Sequence, residues 1–160
     1  MMGAGKTTLG KIVAKKQDLR FIDTDSCIEE KFSMKISEIF QNKGESFFRS
    51  EEEKEVLKSL KNTNCVIALG GGAFMNTRIR SGILKNAISI WLDASLKNIS
   101  NRTKWNKNRP LLNKKNNQEA IKELYAERKN IYKLANYKIN CNNLSKGDLV
   151  KKIIDFYEKY

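Results

Sequence analysis

Histidine is absent from the 160 residues. No imidazole is therefore available as a general base or zinc ligand, and any proton transfer falls to a carboxylate or to water. Proline occurs once, at Pro110, and the three cysteines, Cys27, Cys65 and Cys141, are odd in number and far apart. That spacing gives neither a disulfide framework nor a C-x-x-C metal or redox pair. Buried free thiols in a reducing cytoplasm are expected instead. No apolar run approaches the roughly 20 residues of a membrane span. Lys6 and its neighbours occupy the place of a signal peptide's apolar segment, so a cytoplasmic protein without a membrane partner is expected. Acid is scarce too: 31 Lys and Arg stand against 18 Asp and Glu, for a net charge of +13. No acid lies between Asp93 and Glu119, a stretch carrying Lys97, Arg102, Lys104, Lys107, Arg109, Lys114 and Lys115. Such a run suits either a nucleic-acid surface or a cationic flap over a polyphosphate. Its only aromatic is Trp105 and no nucleic-acid motif accompanies it, so the flap is preferred and no nucleic-acid partner is expected. Strongly salt-dependent DNA affinity would mark the other reading.

What is present begins almost at the first residue. Gly3-Ala4-Gly5-Lys6-Thr7-Thr8 reads as the back end of a phosphate-binding loop, G-x-x-x-x-G-K-[ST]. Glycines let consecutive backbone N–H groups turn inward on a phosphate, because no Cβ blocks the turn. Lys6 adds a point charge on the β and γ phosphates, and Thr7 a hydroxyl for Mg²⁺. Leu9, Ile12 and Val13 then follow at helical spacing, and a helix there aims its positive end at the same phosphates. The alternative is a Gly-rich turn before an ordinary helix.

Further along, β-like runs alternate with helical patterns, the signature of an α/β parallel sheet in a single domain of this length. The spacing predicts a strand at Phe21-Ile22-Asp23 ending in Asp23-Thr24-Asp25, beyond which ligands bind in open α/β sheets. Either Asp could instead cap the next helix, to about Phe32. A helix through Ile36, Ile39 and Phe40 is expected to stop at Gly44 in a left-handed cap, with a second from Glu45 to Lys61. In the second, Arg49 and Glu52 share a face, either as a surface ion pair or as a carboxylate-binding Arg held by Glu52. The apolar run 65–69 reads as a buried strand, and Gly70-Gly71-Gly72 directly after it permits a ligand close to the backbone. A helix from about Asn76 to Lys85, a strand over 87–92 and a helix from Ser95 follow. Apolar periodicity then fades from Arg102 to about Asn117, a basic loop of the kind that forms a lid. A helix from Gln118 to about Leu134, with Arg128 and Tyr132 four apart, a strand over 137–140 and a final helix opened by Ser145 end the chain.

Taken together these residues resemble shikimate kinase. The resemblance covers nearly the whole chain through the loop Met2 to Thr7, Phe21 to Asp25, Ile36 to Phe40, Gly44 to Glu52 with its Phe-Arg-x-x-Glu, Gly70 to Gly72, Arg109-Pro110-Leu111-Leu112, and Arg128 with Tyr132. The loop alone is shared by many kinases and NTPases; the ordered combination is far more specific. It implies the P-loop, nucleoside-monophosphate-kinase-like fold: a parallel sheet of order 2-3-1-4-5 with flanking helices, a substrate-binding region at about 25–53 and a lid at about 103–117. The implied reaction moves a phosphoryl group from ATP, with Mg²⁺, to the 3-hydroxyl of shikimate, on the route to chorismate and the aromatic amino acids. The same resemblance implies that Gly3, Ala4, Gly5, Lys6, Thr7, Thr8, Arg102 and Arg109 bind ATP, with Arg102 stacking on adenine. Thr7 and Asp23 serve the metal. Asp25, Arg49, Gly70, Gly71, Gly72 and Arg128 hold shikimate, and Asp25, Lys6 and Arg109 are the catalytic set. A monomer with these small molecules as its only partners is expected.

The sequence departs from the family at Ser33, where Gly is usual, and at Lys133-Leu134, where an acid is usual at the second position. The full loop motif also places a Gly one position before Met1 and a buried strand before that, the central strand 1 of the implied sheet. The chain is accordingly expected to be poorly soluble or inactive alone, and to regain ATP binding when extended upstream by roughly ten residues. Rival readings are another small-molecule kinase of this fold, such as a gluconate or nucleotide kinase, and a non-catalytic shikimate-kinase-like protein. The Arg49 and Arg128 pair favours a small hydroxy acid over the first, and intact Lys6, Asp25 and Arg109 argue against the second.

Overall fold

The computed structural model describes residues 1–103 and 117–159. Seven α-helices and four short strands appear among them. The first helix, α1 (Lys6–Lys16), leaves the glycine loop at Gly5, whose φ of 95° is left-handed. Leu9, Val13 and Ala14 form its buried face, and Lys15 and Lys16 in the last turn complement the helix dipole. Strand β1 (Arg20–Asp23) pairs in parallel with β2 (Cys65–Ala68), Asp23 opposite Ala68. Strand β3 (Ile90–Asp93) pairs in parallel with β4 (Tyr137–Asn140), Asp93 opposite Asn140. These are two two-stranded sheets. They correspond to the outer pairs 2-3 and 4-5 of the expected order.

Parallel pairing needs crossovers, and helices supply them. Between β1 and β2 run α2 (Thr24–Phe32) and α3 (Ile36–Ser59). After β2 come a single 3₁₀ turn (Ala73–Met75) and α4 (Thr77–Asn86), whose N-terminus Asn76 caps by accepting from the Arg78 and Ile79 N–H groups. Helix α5 (Leu96–Thr103) follows β3, α6 (Asn117–Tyr132) precedes β4, and α7 (Lys146–Tyr157) closes the chain behind a Ser145–Asp148 capping box. Helix α1 packs over β1 and β2 and against α7, while α6 packs on α5 and on the 3₁₀ turn.

Two apolar clusters result. The larger joins Leu9 and Val13 to Ile79, Trp91, Ile99, Ile121, Ile139 and Leu149, with Met1 and Ala4 also inside it. The smaller belongs to the α2–α3 lobe and holds Ile28, Ile39 and Phe48, with Phe32, Phe40 and Phe47 packed around them. A lobe with its own core is a unit that holds side chains in place on one rim of the sheet.

Several expectations are adjusted. At Gly44 the chain does not stop in a left-handed cap: φ is 83° but ψ is 165°, and the second helix resumes at once, giving a kink inside α3. Strand β3 starts at Ile90 rather than Ala87, because Ser89 donates both its N–H and its hydroxyl to Asn136 Oδ1 before the ladder begins. Of the cysteines only Cys141 is buried; Cys27 and Cys65 are half-buried. Among the described residues no helix is long and apolar enough to cross a membrane.

One glycine sets the approach of α1 to the strands. A Cβ at Gly10 would lie 2.7 Å from the Phe21 ring and 3.5 Å from Val66. Gly10→Val should therefore overpack this contact and cost about 1–3 kcal/mol. Thermal unfolding should show a midpoint several degrees lower, with the secondary structure otherwise intact.

Candidate active site

The register of the strands builds the site. With Asp23 opposite Ala68 in a parallel pair, the carboxyl ends of β1 and β2 point the same way. Asp23-Thr24-Asp25 and Gly70-Gly71-Gly72 therefore lie side by side, facing the loop before α1. Asp23, Asp25 and the three glycines line a cleft of about 580 Å³ together with Gly3, Gly5, Lys6, Thr7, Thr8, Arg49, Glu52 and Arg128. Its remaining wall comes from the α2–α3 lobe, through Ser26, Glu29, Ile36, Phe40 and Phe48. Ala4, expected with the loop, turns its methyl group into the core instead. Arg109 and the side chain of Arg102 lie outside the described residues, as does nearly all of the expected lid at 103–117.

At the loop end, Gly3 and Gly5 both take positive φ, so the backbone turns where a Cβ would interfere. Lys6 Nζ donates to the Met1 carbonyl at 2.9 Å, which holds the ammonium over the loop. Thr7 Oγ1 donates to Asp23 Oδ2 at 2.7 Å. Asp23 Oδ1 meanwhile accepts from the Asp25 and Ser26 N–H groups and so caps α2. Asp25 is not a cap; it sits in the first turn of the helix that Asp23 caps. The hydroxyl and carboxylate of Thr7 and Asp23 are hard oxygen donors of the kind Mg²⁺ prefers. Among the described residues no three His, Cys, Asp or Glu side chains converge as a metal cage.

Charge of both signs is buried around the glycine turn. Glu52, 2% exposed, accepts from Arg49 Nη1 at 2.7 Å, and Glu45 accepts from the Arg49 Nε and Nη2 groups. The Arg49–Glu52 pair is thus an internal one, and its surface reading is set aside. Burial alone would lower the Arg49 guanidinium, but Glu52 and Glu45 outweigh it and hold it above its ordinary value. Burial pushes the Glu52 carboxyl up against the opposing pull of Arg49 and Arg128. Asp25 rises further, from 3.8 to about 6, first through burial and then through the like charges of Glu52 and Asp23, with Lys6 acting in the opposite direction. Its Oδ1 is buried with no hydrogen-bond partner among the described residues. A carboxyl balanced in this way is suited to accept a proton or hydrogen bond from a hydroxyl group.

Helix α6 supplies the last side. Arg128, 5% exposed, donates from Nη1 to the Gly71 carbonyl at 3.1 Å, and its Nε has no hydrogen-bond partner among the described residues. Tyr132 Oη donates to the same carbonyl. Two turns back, Tyr125 Oη donates to Asp93 Oδ1 at 2.9 Å, with burial first and then this bond raising the phenol to about 12. The two hydroxyl anchors of α6 carried no role at the sequence level. Tyr132 entered only as part of the resemblance, beside Arg128, and the further signal was spacing, since residues 125, 128 and 132 recur on one helical face. Thr24 was overlooked altogether, although its fully buried hydroxyl donates to the Ala68 carbonyl and joins the two strand ends.

Comparison with known proteins follows the same residues. The family profile described as Shikimate kinase matches residues 2–158. A shikimate kinase of a Sulfurihydrogenibium species is 42% identical over 153 residues, 96% of this chain and 91% of the relative. The solved shikimate kinase from Acinetobacter baumannii in complex with shikimate superposes with a TM-score of 0.94 at 33% identity, covering 99% of this chain and 89% of that one. Shikimate kinase from Bacteroides thetaiotaomicron gives a TM-score of 0.89 at 30% identity, with 98% and 94% covered.

The raised Asp25 carboxyl has a consequence for stability. Its folded pKa of about 6 lies above the unfolded 3.8, so its contribution is fully present below about pH 4 and is lost as pH rises through 6. Asp25→Asn removes the ionised form and should stabilise the fold at pH 7.5 by about 1–3 kcal/mol. The gain should shrink toward zero by pH 4. Denaturant unfolding of both proteins across pH 4–8 measures it; a gain that grows as pH falls would contradict the burial of the charged group.

Proposed function

Because the chain belongs to the shikimate kinase family, we propose that its cleft works as an ATP-dependent shikimate kinase, with donor and acceptor groups meeting at Asp25. The observation that carries this reading is a partition of chemistry within one cleft. Phosphate-binding groups (the glycine loop, Lys6, Thr7) occupy one flank, two arginines (Arg49, Arg128) line the cleft with the glycine turn, and a buried carboxyl senses both Lys6 and Glu52.

The reaction is phosphoryl transfer from ATP to the 3-hydroxyl of shikimate. On the donor side, the N–H groups of Gly3 to Thr8 and the Lys6 ammonium hold the phosphates. Thr7 and Asp23 would hold Mg²⁺, which when bound neutralises charge on the phosphates. On the acceptor side, Arg49 and Arg128 grip the carboxylate of shikimate, planar forks suiting that acceptor better than an ammonium would. Glu52 keeps Arg49 in place, and the Gly70 to Gly72 backbone lies close to the substrate. Asp25 accepts the hydrogen of the attacking hydroxyl and aligns its oxygen with the phosphorus. The raised basicity of Asp25 serves that task, since a stronger base takes the proton more readily while remaining ionised near neutral pH. The α2–α3 lobe, about 25–53, is the substrate-binding region of this reading. Resemblance continues to assign Arg102 to adenine and Arg109 to the transferred phosphoryl group.

A coupled assay of ATP consumption with shikimate and, separately, with gluconate tests the proposal. Because the loop, Asp25 and both arginines line one cleft in this chain, the earlier expectation of inactivity is set aside here: turnover is expected with shikimate alone, and turnover with gluconate alone would overturn the proposal. Lys6→Ala should lose about 10³-fold or more in kcat. Arg49→Ala and Arg128→Ala should weaken shikimate binding by about 1.5–3 kcal/mol each while leaving binary ATP affinity nearly unchanged. Collapse of ATP binding instead would mean that the two flanks are exchanged.

A further inference from the structure

We propose that Tyr132 is a positioning residue, its hydroxyl locking the Gly71–Gly72 peptide in the orientation that substrate binding requires. The proposal deepens the shikimate reading and rests on it. Three glycines in a row have no side chains with which to fix their own peptide planes, and only the Gly70 and Gly72 carbonyls are held by backbone, accepting from the Ala73 and Met75 N–H groups. The peptide joining Gly71 to Gly72 is held from outside. Its carbonyl oxygen accepts from Tyr132 Oη and from Arg128 Nη1, which uses both lone pairs. In a planar trans peptide the C=O and the N–H point in opposite directions. Drawing the Gly71 carbonyl toward α6 therefore turns the Gly72 N–H away from it. A flipped peptide would present a carbonyl where a donor belongs, which repels any carboxylate or hydroxyl oxygen bound there.

Position adds to the argument. A Cβ at Gly71 would lie 3.3 Å from Met2 N in the phosphate loop, and one at Gly72 would lie 2.5 Å from Arg49 Nη1. The locked peptide thus sits between the donor flank and the arginines. The Tyr132 ring also packs at 5.9 Å from Trp91 and 6.5 Å from Phe74, a purely structural duty that Phe would keep. Burial holds the phenol above its ordinary pKa, so the hydroxyl remains a donor at all working pH values. Arg128 is shared: one guanidinium nitrogen serves the same carbonyl, which makes the two side chains a unit.

Tyr132→Phe separates the hydroxyl from the ring. With the full chain, KM for shikimate is expected to rise about 3- to 10-fold while KM for ATP stays within about 2-fold. Amide hydrogen exchange over residues 69–73, followed by mass spectrometry without ligand, should accelerate by a similar factor, with the melting midpoint little changed. Arg128→Lys combined with Tyr132→Phe should be less than additive on KM, because both act through one carbonyl. Unaltered exchange, or faster exchange with an unaltered KM for shikimate, would overturn the proposal. So would equal rises in KM for both substrates with a lowered melting midpoint, which would mark a structural role only. Absence of shikimate turnover in the parent chain would instead overturn the functional reading, and the two failures are distinct.

Discussion

The glycine turn after β2 is the constraint on which the rest of the cleft depends. A Cβ at Gly70 would stand 2.5 Å from Glu52 Oε1 and 2.6 Å from Asp25 Oδ1, and one at Gly72 would stand 2.5 Å from Arg49 Nη1. Real side chains do not approach so closely, so two carboxyls and a guanidinium converge here only because nothing projects from the backbone between them. Their convergence then sets the electrostatics. Burial raises both carboxyls; the Glu52 charge adds to the rise at Asp25, where Lys6 opposes it, while Arg49 and Arg128 oppose the rise at Glu52. Asp25, which makes no ion pair among the described residues, is raised to about 6.

The arginines are consequently not equivalent. Arg49 already gives its fork to Glu52 and Glu45, and removing Arg49 would take from the buried Glu52 carboxylate its hydrogen-bonded partner. Arg128 gives Nη1 to a carbonyl and retains a buried Nε with no hydrogen-bond partner among the described residues. Under the proposed reaction an incoming carboxylate is needed by Arg128, whereas for Arg49 it adds to a set of bonds already made. Substrate binding then relieves a buried donor as well as adding contacts, because an unpartnered buried donor is costly in itself.

Much of this was legible in the sequence, for reasons that differ by element. The loop and α1 could be read because their function is local: Gly3 to Thr7 are consecutive, and the helix begins at the next turn. Strand β4 was bounded correctly, because Asn136 stands directly before it and Asn142-Asn143 close behind it. The fate of the Arg49–Glu52 pair was not legible. Spacing of three places two side chains together on a helix, but whether that face meets water or a glycine turn is decided by residues about twenty positions away. Tyr132 fell outside reach for the same reason, since its acceptor is 61 residues distant. The break between two helices expected at Gly44 was placed correctly, but its form was not. Gly44 does take positive φ, but a single such residue kinks a helix as readily as it ends one when the flanking segments pack on the same lobe. Arg102 and Arg109 rest on resemblance alone, in the stretch where apolar periodicity gives no guide.

Asp23 shows why capping and catalysis need not be alternatives. A carboxylate has two oxygens, and here they face different helices. Oδ1 accepts two N–H groups of α2, and Oδ2 accepts the Thr7 hydroxyl at the start of α1. The cap fixes the side chain's rotamer through two bonds to rigid backbone, and that fixed rotamer aims the second oxygen at Thr7. The structural bond is thus what makes the functional one reproducible. A carboxylate tethered only by an ion would have to be ordered at each binding event, at the entropic expense of its free rotamers. One tethered by a helix N-terminus is ordered already when the chain folds. The short Asp-x-Asp segment therefore divides its labour by position: the first carboxylate is fixed by the cap it makes, and the second, in the first turn of the helix, is left free to change its protonation.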